Sequence, residues 1–272
     1  MTDSYEDLPL PPPERARIGD GLRFAFGTLT VLPARITRWD RPAARTGMAC
    51  APLAGLVVGL LAAVPGAALL LGGAGPLLAA AVTVAVPAAL TRGLHLDGLA
   101  DTADGLGSAK PAEVALRIMK QSDIGPFGVV TLVITLLVQV AALSEVYADS
   151  WVRGALAAVT AAVTARLALT LASREGIPAA RPEGLGAAVA GVVPRGAAAA
   201  AAVLVVLLAA AAALPLGLPA ALRHAAAVLA GLLAAQLLLR RCVHRFGGVT
   251  GDVFGALAEV AAGTALIVLA LG

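Results

Sequence analysis

Seven long stretches nearly bare of charge divide this chain and leave it few ways to fold. They run over Met48–Leu71, Gly75–Leu90, Gly125–Leu143, Trp151–Ala172, Gly196–Leu216, Leu222–Leu239 and Val253–Leu271. Several approach the ~20 apolar residues that a helix needs to cross a bilayer, and the second and sixth are shorter. No soluble core could hide them all. Hydrophobic residues make up 59% of the chain and charged ones only 14%, well below the ~25% of soluble domains. The expected fold is therefore all-α: a polytopic integral membrane protein of about seven transmembrane helices.

The flanks refine this. Residues 1–17, with Asp3, Glu6, Asp7 and the run Pro9–Pro13, lack apolar periodicity and read as a disordered cytoplasmic tail. Leu22, Ala25, Phe26 and Leu29 form a helical stripe, which predicts an interfacial helix beginning at Ile18. Residues 18–272 read as one membrane domain. Seven arginines precede the first span, and Arg92, Lys110, Arg117, Lys120, Arg174, Arg181, Arg195, Arg240, Arg241 and Arg245 fall in loops on the same side. The other side receives Arg153 and Arg223. Positive charge collects on the cytoplasmic side of membrane proteins, so the loops 92–124, 173–195 and 240–252 are expected there, in a multi-pass protein of the cell membrane. Cys50 and Cys242 belong to no ligand or disulfide spacing. No basic run is interleaved with aromatics, which argues against nucleic acid as a partner.

The first of those loops carries a polar island with Asp97, Asp101 and Asp104 at i, i+4 and i+7. On a helix, Asp101 falls about 40° and Asp104 about 20° from Asp97, so the three share a face. Like charges so crowded repel. A hard divalent cation, Mg²⁺ or its like, would make the arrangement favourable; a solvated acidic face is the plainer alternative. His95 stands two residues before the first Asp, and Gly93, Gly98, Gly105 and Gly107 punctuate the run. So many glycines weaken a helix and suit close approach of another group.

Two further stretches add chemistry. Lys120 and Ser122 precede the third span and could meet a phosphate, although a juxtamembrane lysine needs no such role. The run Arg245–Ala256 (RFGGVTGDVFGA) brings Arg245, Thr250 and Asp252 to the start of the last span. Asp252 there could simply cap a helix. Glu259 follows seven residues later on the same face, about 10 Å deeper. An ionisable group at that depth is functional by default, and a lone buried Glu hydrogen-bonded to a neighbouring helix is the plainer alternative. Arg166, inside the fourth span, pairs with an acid or snorkels. His224 reads as interfacial and His244 as a surface residue. Together these loops fit phosphoryl or nucleotidyl transfer: Asp97, Asp101 and Asp104 on a metal, Arg92, Lys120, Ser122, Arg245 and Thr250 on substrate, and His95, Asp104, Asp252 or Glu259 handling protons.

Gly93–Leu106 (GLHLDGLADTADGL) resembles the signature of the cobalamin synthase (adenosylcobinamide-GDP ribazoletransferase) family. Arg245–Ala256 is similar to its C-terminal motif, Lys120-x-Ser122-x-x-Gly125 to its middle one, and Thr30–Pro33 to its N-terminal pattern. Gln121 and Asp123 depart from the Lys-Asp-Ser-Arg of many relatives, and Ala258 stands where an Asn often precedes the acid. The resemblance implies a Mg²⁺-dependent membrane enzyme. Its substrates would be adenosylcobinamide-GDP and α-ribazole or its 5′-phosphate; GMP would leave, and adenosylcobalamin or its 5′-phosphate would form in the last assembly step of the B12 nucleotide loop. Whether it acts as a homo-oligomer stays open. A CDP-alcohol phosphotransferase is the nearest rival, but its pattern needs an Arg at the place of Asp101. An ion-coupled transporter would account for Glu259 and Arg166 but not for three glycine-rich polar loops on one side.

Overall fold

The computed structural model describes residues 16–271, so the expected tail falls almost wholly outside the described residues. Twelve α-helices account for the described chain: α1 (Ile18–Leu29), α2 (Arg41–Ala49), α3 (Ala51–Leu71), α4 (Pro76–Leu90), α5 (Leu94–Gly107), α6 (Ala112–Ile118), α7 (Pro126–Asp149), α8 (Trp151–Ala172), α9 (Gly184–Val189), α10 (Arg195–Ala213), α11 (Leu218–Phe246) and α12 (Gly251–Ala270). No strand occurs among the described residues, and two single-residue bridges tie the 173–195 loop down.

Six helices (α3, α7, α8, α10, α11 and α12) are long and apolar enough to cross a membrane. The seventh candidate is bent. α4 has 15 residues, and α5 leaves it at 87°, so the island does not prolong the span but turns across the end of the bundle. Two differences from the sequence reading have local causes. The arginine-rich segment before the first span forms α2, because Asp40 caps it by accepting from the Ala43 amide at 2.8 Å and Pro42 fits its first turn. α11 runs to Phe246, seven residues beyond the expected Leu239, since its last turns leave the apolar zone with Arg240, Arg241 and His244 exposed.

α8 sits at the centre: 72% of its most apolar window is buried, against 17% for α10 and 22% for α7. Small residues set this packing. Gly55 and Gly59 of α3 lie so close to α8 that a Cβ at Gly55 would stand 2.6 Å from the Ala162 carbonyl oxygen. Such a small-xxx-small stripe lets helix backbones touch where water cannot drive association. The outer faces of α7 and α10 present Val130, Ile134, Leu137, Leu204 and Leu208, all more than half exposed and suited to lipid.

The connections sort to two ends. The turns α3–α4, α7–α8 and α10–α11 lie at one end with Arg153 and Arg223; all the longer polar loops, with α1, α2, α5, α6 and α9, lie at the other. His224 lies at the bundle end that carries Arg153 and Arg223, but it is buried there, its Nδ1 2.9 Å from the Thr160 hydroxyl. The protein is thus a multi-pass membrane protein with one elaborated polar end.

Candidate active site

The turn from α4 into α5 is made by two successive residues in the left-handed region, Arg92 (φ 53°) and Gly93 (φ 71°). The first is unfavourable for a side-chain-bearing residue and holds Arg92 out at the cavity rim. α5 then crosses α12 with backbones in contact. A Cβ at Gly98 would lie 2.5 Å from the Asp252 carbonyl oxygen, and one at Gly255 would lie 2.9 Å from the His95 carbonyl oxygen. This crossing decides which acids meet.

Asp97 is exposed and Asp101 half-buried, on the α5 face expected from their spacing. Asp252 joins them from α12, fixed by the Thr250 hydroxyl, which donates to its Oδ2 at 3.1 Å while accepting from the Val253 amide at 3.3 Å. Burial, and then the charges of Asp252, Asp97 and Asp104, push the Asp101 carboxyl up to about 7, with Arg181 opposing. Among the described residues no three acids, histidines or cysteines close into a ready metal cage. The donor set is nonetheless oxygen-only, and neither Asp97 nor Asp101 has an ion-pair partner within 4.0 Å among the described residues. A hard cation fits that uncompensated charge.

Asp104 is employed differently. Its two carboxylate oxygens accept from the Gly125 amide at 2.8 Å and the Gly128 amide at 3.0 Å. It therefore satisfies the open N–H groups at the start of α7 and stabilises that helix end. Of the three island acids it is the one whose carboxylate is already occupied by backbone amides, whereas Asp252, which no spacing within the island could have supplied, lies near enough to Asp101 to raise its carboxyl.

Basic groups surround the acids. Arg92, Asp97, Asp101, Gln121, Ser122 and Asp123 line an open cavity of about 580 Å³. Lys120 pairs with Glu183 at 2.9 Å, and this hydrogen bond holds the Glu183 carboxyl below the usual carboxylate range. The sequence reading counted Arg181 among the basic loop residues but not in the site. The loop that carries it is pinned by Ala180 N–H to the Val249 carbonyl and Val249 N–H to the Pro178 carbonyl, each 2.9 Å. This puts Arg181 4.0 Å from the Asp252 carboxylate, with a second donor on the Leu116 carbonyl. Arg245 is not in the cavity lining: it donates to the Lys110 carbonyl and stacks on Phe246.

His95 and Glu259 lie deeper. His95 is 3% exposed with Nε2 unpartnered, on the side of α5 that meets α12. Glu259 accepts from Gln139 at 2.9 Å and shares a cavity of about 60 Å³ with Arg166, whose Nε and one terminal nitrogen have no partner. That volume admits a few waters, at ~10–15 Å³ each. Arg166 thus faces an acid, and Gln139, an ordinary span residue in sequence, completes the group.

The comparisons with known proteins match this layout over its whole length. A family described as Cobalamin-5-phosphate synthase matches residues 21–270. An adenosylcobinamide-GDP ribazoletransferase of Frankia casuarinae is 45% identical, covering 92% of this chain and 94% of its own. Relatives of the same name from a Nocardioides species and from Stutzerimonas stutzeri are each 40% identical, covering 91% and 92% of this chain and 97% of their own. No solved structure matches. Since the match takes in α5, the 173–195 loop and α12 alike, the chain belongs to the cobalamin-5-phosphate synthase family.

Proposed function

We propose that this enzyme transfers the cobinamide phosphate of adenosylcobinamide-GDP to a ribosyl hydroxyl of α-ribazole or its 5′-phosphate. A new P–O bond forms to that hydroxyl, the P–O–P bond breaks, GMP leaves, and adenosylcobalamin or its 5′-phosphate is the product. Family membership supports the reaction. The observation that carries the site is the junction of Asp97 and Asp101 with Asp252 across the α5–α12 crossing.

Asp97 and Asp101 would hold Mg²⁺, with Asp252 beside them. When bound, the ion would neutralise diphosphate charge and favour the leaving GMP. Asp252, oriented by Thr250 and Arg181, takes the hydroxyl proton. Arg92 and Ser122 in the cavity lining, with Lys120 two residues before Ser122, meet the phosphates of the substrate. Asp104 holds the start of α7, and His95 and Glu259 position α5 and α12 from beneath. The elaborated end faces the cytoplasm of a cell-membrane protein, as its excess of Arg and Lys over the opposite end favours.

The test is GMP release from purified protein in nanodiscs given Mg²⁺, adenosylcobinamide-GDP and α-ribazole. Release that requires all three and stops in Asp97→Ala is expected. Undiminished turnover in Asp97→Ala would remove the acid junction from the chemistry.

A further inference from the structure

One face of α2 leads from a basic pocket into an apolar groove. Arg41, Arg45 and Ala49 succeed one another about 40° apart along the exposed side of α2. Arg41, Arg45, Thr46 and Val192 line an open pocket of about 730 Å³ at the elaborated end. One turn on, Ala49 and Cys50 begin a second cavity, about 490 Å³, whose walls are α3 and α10 and whose floor is α8. Leu53, Leu56, Val163, Leu204, Val205 and Leu208 make it almost wholly apolar.

We propose that the pocket and the groove, one turn of α2 apart, together bind one anionic phospholipid from the leaflet on the side of the acid junction, its phosphate on Arg41 and Arg45 and an acyl chain in the groove. Three observations choose this occupant. Along α10 the groove extends from Ala201 to Ala212, a rise of about 16 Å. It starts six residues inside the α10 end at Arg195, so a chain that enters at Ala49 and fills it reaches past the midplane of the ~30 Å hydrocarbon core. The basic mouth sits where headgroups lie, because α2 opens into α3, the first span. Neither Arg41 nor Arg45 forms an ion pair among the described residues; Arg41 only donates to the Ala190 carbonyl at 3.1 Å. A partner helix would have to bring a carboxylate to that height, whereas a phospholipid carries its phosphate there. The bound chain would also brace α10, the least buried of the spans, and with it the loop that delivers Arg181.

Native mass spectrometry of the full chain, released from nanodiscs of equal phosphatidylglycerol and phosphatidylcholine, tests this. One retained phosphatidylglycerol per protein is expected, favoured by up to about thirtyfold over phosphatidylcholine, at about 1 kcal/mol for each of two surface arginines. Arg41→Gln with Arg45→Gln should abolish the preference, the double Lys variant should keep it, and Ala212→Trp should lower lipid retention of both kinds. Both double variants alter exposed side chains and leave the core packing untouched. Equal retention of the two lipids by the unaltered chain, a preference that survives the double Gln variant, or a lipid-free dimer would each overturn the proposal.

Discussion

The molecule has two polar layers about one helix apart, and they handle charge in opposite ways. In the outer layer Asp97 and Asp101, which line an open cavity, are like charges with Asp252 from α12, and Arg181 beside Asp252 is the nearest counter-charge. In the inner layer Arg166, Glu259 and Gln139 are complementary charges and dipoles around a small cavity. The outer layer is electrostatically unfavourable by itself and would be stabilised by a bound cation; the inner one sets opposite charges facing each other within the fold, with two Arg166 nitrogens left without a partner. Function and stability should therefore separate between them.

The largest effects come from exchanging one residue in each layer. Asp97→Asn or Asp101→Asn should lower kcat by about a thousandfold or more, as loss of a ligand to a catalytic ion removes several kcal/mol of transition-state stabilisation. The melting temperature should hold or rise, because repulsion is relieved. Arg166→Leu should do the reverse. Leaving Glu259 without its cation in an apolar bundle destabilises by about 3–5 kcal/mol, and Arg166→Leu with Glu259→Leu should recover much of the loss. A stable, inactive Arg166→Leu protein would merge the two layers into one site.

Next is the crossing that joins the layers. Gly98→Ala sets a methyl 2.5 Å from the Asp252 carbonyl oxygen, against backbone that cannot swing aside. Parting α5 from α12 should destabilise by about 1–3 kcal/mol, and activity should fall at least tenfold as Asp252 withdraws from Asp101. Thermal melts and GMP release measured together check this. Unchanged kinetics would mean that Asp252 acts without that contact.

Much of the frame was legible because lipid imposes a simple rule: spans must be apolar and internally hydrogen-bonded, and that leaves long uncharged runs. The island's helical spacing also held, since α5 covers Leu94–Gly107 despite its glycines. Short α2 and α6 were missed, because a capping Asp40 or a leading Pro111 sets them rather than any periodic stripe. The third facing acid was legible as a residue but not as a neighbour. Asp252 reaches the island only through the Gly98–Gly255 crossing, about 150 positions away in the chain, and Asp104 turned instead to the amides of Gly125 and Gly128. Arg181 gave a weaker signal still: its place depends on a two-bond tie between Pro178–Ala180 and Val249.

Proton linkage sharpens the contrast further. Asp101 is pushed up to about 7 by burial and its acidic neighbours. Its raised value means that the metal-free fold holds a proton which the unfolded chain has released, so this residue's contribution to stability falls as pH rises from about 4 to 7. Comparison of melting temperatures with Asp101→Asn, which lacks the effect, isolates it. If Asp101 holds Mg²⁺ as proposed, the ion would displace the same proton, so its affinity should be about tenfold weaker at pH 6 than at pH 8 and level above that. Titration calorimetry in buffers of different ionisation enthalpy would detect the released proton. A pH-independent affinity would place the ion away from Asp101.

The smallest effects test where the outer layer ends. Lys120 is bound to Glu183 on an exposed edge, 2.9 Å apart. If Lys120 meets a substrate phosphate, Glu183 competes for it. Glu183→Gln should then lower KM a few-fold and leave kcat unchanged, while Lys120→Ala raises KM by about tenfold, the worth of one charge-assisted hydrogen bond at a partly solvated rim. Neither should alter the melting temperature, because an exposed pair adds little to folding. Opposite movements of KM in the two variants extend the substrate-facing layer to the 173–195 loop. Identical kinetics in both would confine it to α5, the α4–α5 turn and the start of α12, with Lys120 and Glu183 a surface ion pair and nothing more.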